Sequence, residues 1–373
     1  MPMNLVHFSL ARYRAFDRMV QVDLAPITVV IGGNHAGKTT LCRAPWFVSQ
    51  PFSRDSASPF PLGDPSGAPA PSLLRVARGI SGFEAELGLL RNGEMWTVRF
   101  HAAARVEAGN QPMLARLTVS RGETVLFNAQ EPSWDVAQEA IKKHRLERIH
   151  AEVGILGGLR SEAALSYPLQ GFTPPSVGFR GEDAPSVLAG TRDLSALNDW
   201  AKKHLGIVYE IEREGIWDSF RVIVKDDRSR VLLAESGTGL VQVLPVAAAL
   251  LLLPSLPSLY CIEHPELHLH PHAHRAVAEL LIEGHNRHPG TRFLVETHSD
   301  TLVLRLRRAI VEKRLDPDDV RLLYVAPEAD GSTATPIRLN ERGVPDWWPK
   351  GVFAEAQAEF TAMRRKLNEG ERE

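Results

Sequence analysis

The chain has 373 residues, 44% of them hydrophobic and 24% charged, the balance of a folded globular protein rather than a disordered one. That length implies one large domain with a substantial insertion, or two domains. Lys plus Arg number 43 against 45 Asp plus Glu, a net charge of -2, which excludes a globally basic nucleic-acid coat but not a local basic groove.

Residues 5–31 read as two strands leading to a third. Val20-Gln-Val-Asp-Leu24 alternates, and Ile27-Thr-Val-Val-Ile31 is the β-branched run of a buried parallel strand. A helical stretch follows from Thr40 to Gln50. Residues 51–72 hold six Pro, five Ser and two Gly, too little apolar surface for a core, and read as a loop or linker. From 73 to 127, alternating segments separated by turns such as Asn92-Gly93 predict an antiparallel β-layer. Helices are expected around 134–148 and 194–205, and a hairpin over 207–233. From 234 onward helices at 240–253, 272–287 and 299–314 alternate with the strands Leu259–Ile262, Arg292–Glu296 and Arg321–Val325, the order of a parallel sheet. The expected fold is therefore α/β: a core from 1–50 and 234–340 with a mixed sheet, the 51–72 loop, an α+β insertion over 73–233, and a helical extension over 341–373.

Ser236 to Ile262 carries no charge, but Gln242, Pro245, Pro254 and Pro257 interrupt it short of the roughly 18 apolar residues a membrane span needs. It reads as a buried helix, a turn and a buried strand, with no membrane partner. Cys42 and Cys261 lie in apolar runs and cannot build a disulfide framework, and the N-terminus lacks the pattern of a signal peptide. The expected compartment is the reducing cytoplasm.

Gly32-Gly-Asn-His-Ala-Gly37-Lys38-Thr39 fits the phosphate-loop pattern between a strand and a helix. Its glycines let backbone N–H groups wrap phosphate oxygens, and the helix N-terminus adds a favourable dipole. Lys38 reaches the terminal phosphates and the Thr39 hydroxyl suits Mg²⁺, with Gly32, Asn34, Gly37 and Thr40 completing the predicted phosphate-binding set. The alternative is a chance glycine turn, which the strand–loop–helix context disfavours. Further on, Glu235-Ser236-Gly237-Thr238-Gly239-Leu240-Val241-Gln242 is a second small-residue turn opening a helix. Leu259–Ile262 ends in Glu263, followed by His264-Pro-Glu266-Leu-His-Leu-His270-Pro271. Phe293-Leu-Val-Glu296 leads to Thr297-His298-Ser299.

In that order and spacing these blocks resemble an ABC-type ATPase. The chain is similar to the ABC-like AAA ATPases related to the OLD family and, more distantly, to SMC-type proteins. Ala11-Arg-Tyr-Arg-Ala-Phe16 through Leu41, Gly239–Pro245, Ile262–Pro271 and Glu296–Ser299 carry the likeness, Gly343–Pro349 resembles a C-terminal motif of one subset, and residues 51–150 carry none of it. The resemblance implies that Ser236 to Gln242, including Gly237 and Gly239, is the signature segment that caps the γ-phosphate bound by an opposite subunit, so that the chain dimerises on ATP. It implies Glu263 as the Walker B residue holding Mg²⁺ through water, and His298 as the switch histidine facing the γ-phosphate. Where such proteins carry a catalytic Glu after the Walker B carboxylate, this chain has His264. Either His264 or Glu266 takes that role, or turnover is slow. No Q-loop is assigned, although Gln50 is available.

Five histidines lie between 264 and 274, but His268 and His270 alternate with leucines and no HExxH or Cys pair accompanies them, so no metal other than Mg²⁺ is expected there. Arg305, Arg307 and Arg308 read as a solvated helix face sooner than a binding patch. Arg160 either reaches a phosphate or braces the insertion, and Trp347 and Trp348 read as packing anchors under a last helix, 351–368. The chain ends too early for the Toprim nuclease of OLD proteins, so the resemblance implies a separate effector protein, a nuclease among the candidates, and a role in bacterial anti-phage defence. The rival readings are a nucleotide-gated scaffold with marginal hydrolysis and an SMC-like DNA-repair ATPase that binds DNA. The lack of a long coiled-coil arm argues against the last.

Overall fold

The computed structural model describes residues 3–54, 82–105, 111–215, 218–354 and 363. Strands β1 (Asn4–Ala11), β2 (Val20–Asp23) and β3 (Ile27–Gly32) lead into helix α1 (Lys38–Ser49). Then come β4 (Gly82–Arg91), β5 (Glu94–Arg105), β6 (Gln111–Arg121), β7 (Thr124–Gln130), α2 (Trp134–Lys143), β8 (Val153–Leu156) and β9 (Tyr167–Pro168). Helices α3 (Ala184–Gly190) and α4 (Ser195–Leu205) precede β10 (Val208–Glu214), β11 (Ser219–Lys225) and β12 (Arg230–Leu232). The last part alternates α5 (Thr238–Leu252), β13 (Leu259–Glu263), α6 (His274–Arg287), β14 (Arg292–Glu296) and α7 (Asp300–Val311) before a hairpin of β15 (Val320–Glu328) and β16 (Gly331–Arg338).

The fold is mixed α/β, as expected. Its central sheet has six strands in the order β16-β15-β3-β14-β13-β8, and only the β15–β16 pair is antiparallel. Both faces are covered, which explains the unbroken apolar runs of β3, β13 and β14. Along β3 the side chains alternate between two cores. Ile27, Val29 and Ile31 pack with α5, α6 and α7, whereas Val30 packs with Leu41 and Cys42 of α1. The uncharged run that mimics a membrane span becomes α5, buried from Val243 to Leu251, and β13. No described helix is long and apolar enough to cross a membrane.

A second six-stranded sheet, antiparallel throughout, has the order β2-β1-β4-β5-β6-β7. The expected β-layer therefore exists, but it begins with the first two strands of the chain. The segment 73–233 likewise lends β8 to the central sheet, where Ile155 sits beside Cys261. The polar hairpin strand β16 was not anticipated, and the expected last helix lies outside the described residues from 355 on, apart from 363. Trp347 stacks edge-on against Tyr324 and donates from its indole N–H to Pro336 O at 2.9 Å, which fits an anchor.

Candidate functional site

The site forms where the parallel strands end together. Val30 on β3 pairs with Glu296 on β14, and Glu296 pairs with Glu263 on β13, so the three strands deliver their last side chains to one edge. β3 then breaks at Gly32, whose φ is 148° and whose place a Cβ would contest with Val325 O at 2.2 Å. Only glycine fits there. Gly37, at φ 102°, caps α1 without a side-chain hydrogen bond, and the first turn of α1 holds no acid. Those N–H groups and the helix dipole are thus suited to an anion. Gly33, Asn34 and His35 are exposed on the rim of the loop, Thr40 is half-buried, and Lys38 is buried.

The Lys38 ammonium donates to Gly33 O across the loop at 2.8 Å. Burial lowers its pKa, while the charge of Glu296 works the other way. Thr39 donates from its hydroxyl to Glu296 Oε1 at 2.8 Å. Glu263, expected to hold Mg²⁺ through water, has both carboxylate oxygens hydrogen-bonded within the protein. Arg43, one helical turn after Thr39, donates to both of its carboxylate oxygens, and Gly158 N–H adds a bond to Oε2 at 3.1 Å. The reason is strand order: β14 lies between β3 and β13, so Glu296 stands one strand, about 4.8 Å, nearer the phosphate loop.

His264 takes a left-handed backbone, φ 42°, and its N–H donates to Glu296 O at 2.9 Å. Its Nε2 lies 3.5 Å from Glu296 Oε1, and its ring stacks on His298 with centroids 5.1 Å apart. Burial, then Lys38 and His264, lower the pKa of His298, so its imidazole stays neutral around pH 7. Burial raises the pKa of Glu296, against the pull of His264, Thr39 and Lys38. Glu266 is hydrogen-bonded to the neighbouring loop. Its Oε1 accepts from the Thr297 hydroxyl at 2.7 Å and from the His298 N–H at 2.8 Å, which fixes the loop that carries His298. Arg160, 4% exposed, donates to Glu263 O at 2.8 Å and His264 O at 3.3 Å. Desolvation brings its pKa down to about 10, against the attraction of Glu266. It braces the end of β13.

The signature-like turn makes contacts of its own. Ser236 donates its hydroxyl to Leu233 O at 2.7 Å, Gly237 caps α5, and Gly239 packs so near His268 that a Cβ would meet its carbonyl at 2.9 Å. Among the described residues no hydrogen bond or ion pair joins Ser236–Gln242 to Gly32–Thr40. Gln242 contacts Arg160 O at 3.5 Å instead. A cavity of about 600 Å³ opens beside Thr39, lined by Arg43, Gly158, Leu159, Phe179, Arg180, Glu263 and His264 among others. That is the size of a small-molecule pocket. The Arg43 guanidinium covers the Phe179 ring at 5.5 Å. The site thus fits a phosphorylated ligand with a cation: a capless helix N-terminus, an inward ammonium, and a buried Glu296 Oε2 with no hydrogen-bond partner.

The family model described as "AAA domain, putative AbiEii toxin, Type IV TA system" matches residues 27–305, well over half of the chain and the whole of the edge just described. The chain belongs to this AAA-domain family. A search of curated proteins finds no match. Among solved structures, an Smc head bound to the C-winged helix domain of ScpA is similar to this AAA domain with a TM-score of 0.54 at 12% identity, covering 90% of this chain and 98% of that one. The SMC head domain from Thermotoga maritima gives 0.46 at 15% identity, covering 90% and 99%. A Pyrococcus furiosus Smc head with an extended coiled coil, bound to the C-terminal domain of ScpA, gives 0.49 at 11%, covering 97% and 100%. The first likeness is one of fold: this AAA domain has the architecture of an SMC head.

Three participants escaped the motif reading. Arg43 stands four residues after Thr39 on the same helical face, a spacing that was visible. Glu296 was visible as a strand end, but which strand neighbours the phosphate loop was not. Phe179 lies in an irregular segment without a periodic signal.

Proposed function

We propose that this AAA domain binds ATP with a divalent cation at Gly32–Thr40 and hydrolyses it to ADP and phosphate. The observation that carries the reading is the convergence of Lys38, Thr39, Glu296, His264 and His298 on one strand edge at the mouth of the phosphate loop. The cation would neutralise charge on the transferred phosphoryl group. Lys38 exchanges Gly33 O for phosphate oxygens, and the backbone N–H groups of the loop orient them. His298, held by Glu266 through its N–H, presents a neutral imidazole toward the terminal phosphate. His264, in the place of the usual Glu, is the base that takes a proton from the attacking water, and Glu266 is a positioning residue. His264 stands where such proteins carry a Glu, and we expect slow turnover on that ground. Ser236 to Gln242 completes the site of a second copy, giving a two-fold dimer around two nucleotides. That Ser236 and Gln242 bond to Leu233 and Arg160, and not to the chain's own phosphate loop, supports this. A separate effector in anti-phage defence rests on the sequence resemblance alone.

The test measures ATP binding, hydrolysis and solution mass together. Lys38→Ala is expected to lose both binding and turnover. Ser236→Arg is expected to keep ATP binding and lose both turnover and ATP-dependent mass increase. Unchanged hydrolysis in Lys38→Ala refutes the site, and full hydrolysis by a monomeric Ser236→Arg refutes the composite arrangement.

A further inference from the structure

The mouth of the phosphate loop carries two imidazoles, donors for which Mg²⁺ has little use. His264, Glu296 and His298 each place a ligand atom within 4.8 Å of the other two, at the adjacent ends of β13 and β14. His264 Nε2 is 3.5 Å from Glu296 Oε1. The two rings stack at an interplanar angle of 17°, which lets one edge of each face a common point. Glu296 is 1% exposed, and while Oε1 accepts from Thr39, Oε2 has no hydrogen-bond partner. A buried carboxylate oxygen left in that condition is costly unless a cation covers it. Lys38 does not: its ammonium is turned to Gly33 O.

We infer that His264, Glu296 and His298 form a binding site for a first-row transition-metal dication of the Mn²⁺, Fe²⁺, Co²⁺ or Zn²⁺ class. Mg²⁺ demands an octahedron of oxygens and gives up water reluctantly, whereas imidazole suits the transition metals. Two histidines and one carboxylate leave coordination positions open, with the Thr39 hydroxyl beside Glu296 to complete the set. Glu263 is not a competing ligand, since Arg43 and Gly158 take its oxygens. Three other histidines of the cluster are engaged elsewhere. His270 caps the His272 N–H, His272 meets Arg275, and His274 meets Ser299. With such an ion bound, His264 and His298 are its ligands and no longer act as base and phosphate contact, so the proposed ATP chemistry would belong to the site without it; the binding itself does not need nucleotide.

The discriminating measurement uses the full chain, freed of metal by chelation and without nucleotide, titrated with Co²⁺ and followed by its visible absorption. One equivalent is expected to bind and to resist displacement by excess Mg²⁺. His264→Ala, His298→Asn and Glu296→Gln are each expected to weaken binding at least about tenfold, since even outer-shell changes at metal sites cost that much. His272→Ala is expected to leave it unchanged. Lys38→Ala separates this site from the nucleotide reading: it is expected to lose ATP but keep the Co²⁺ spectrum. Absence of the spectrum in wild type overturns the inference and leaves a plain His264–Glu296 ion pair. Equal Co²⁺ uptake by folded His264→Ala and wild type, or ready displacement by Mg²⁺, overturns it too. Urea unfolding of each variant identifies those that have lost the fold, and the three ligand changes provide independent readings.

Discussion

Replacing Arg43 by methionine distinguishes a structural ion pair from a catalytic carboxylate. Glu263 is buried, with 2% of its side chain exposed, and Arg43 is about one-third exposed at 34%. Removing Arg43 strands a buried carboxylate with only the Gly158 N–H. Breaking a buried pair from one side costs about 3–5 kcal/mol, and the open flank of Arg43 lets water in, which places Arg43→Met near the lower limit of about 3 kcal/mol. The opposite change, Glu263→Gln, leaves a cation that can reach solvent and an amide that still accepts from Gly158. It is expected to cost about 1 kcal/mol, the net worth of an ordinary hydrogen bond. The double variant removes the buried charge altogether and is expected to fall between the two. Urea unfolding without nucleotide measures all three. If Glu263→Gln proves the more damaging, or if neither change exceeds about 0.5 kcal/mol, the pairing does not hold the end of β13 and Glu263 returns to the cation.

Gly32→Ala is expected to yield no soluble protein, because its methyl group would sit 2.2 Å from Val325 O, while Gly33→Ala, with nothing within 4 Å, keeps its stability and loses ATP affinity. Melting curves and nucleotide titration decide, and equal destabilisation by the two would contradict the account. Thr297→Val removes the hydroxyl that Glu266 accepts at 2.7 Å. It is expected to cost about 1–3 kcal/mol and to lower kcat with little change in KM, a split that steady-state kinetics would read. Burial lowers the pKa of His150, which shares a 2.8 Å hydrogen bond with Ser49. The unfolded chain therefore takes up a proton that the folded one refuses, and this contribution to stability is intact above about pH 6.5 and lost as pH falls below it. His150→Asn is expected to flatten the decline of the urea midpoint with acid; identical declines would exclude His150 as a contributor.

What could be read in the sequence was local. The phosphate loop announced itself because its glycines and Lys38 obey a spacing set by one backbone turn. The strands after 234 did so because buried parallel strands must be apolar on both faces. Pairing is another matter. Nothing in Leu5 or Phe8 specifies Leu89 or Leu87 as partner, so the N-terminal hairpin could not be joined to the β-layer in advance. The site inherited that gap. Glu296 and Glu263 are both acidic ends of apolar strands, and only the position of β14 between β3 and β13 gives the place beside Thr39 to one of them. Glu266 looked chemical from its motif, and its hydrogen bonds to Thr297 and His298, which no spacing announces, need the folded chain to be seen.

The position of β3 also bears on how the chain is made. Its two neighbours in the sheet, β14 and β15, both come from the far end of the sequence, with Ile27 paired to Phe293 and to Val320. A ribosome adding about 5–20 residues each second needs on the order of 15–50 s to travel from one to the other. Within that interval the antiparallel sheet of β1, β2 and β4–β7 acquires all its strands, whereas the apolar run of β3 has neither flank. A nascent chain is thus committed to half of its architecture long before it can hold a nucleotide, and the exposed β3 is where a chaperone would find it.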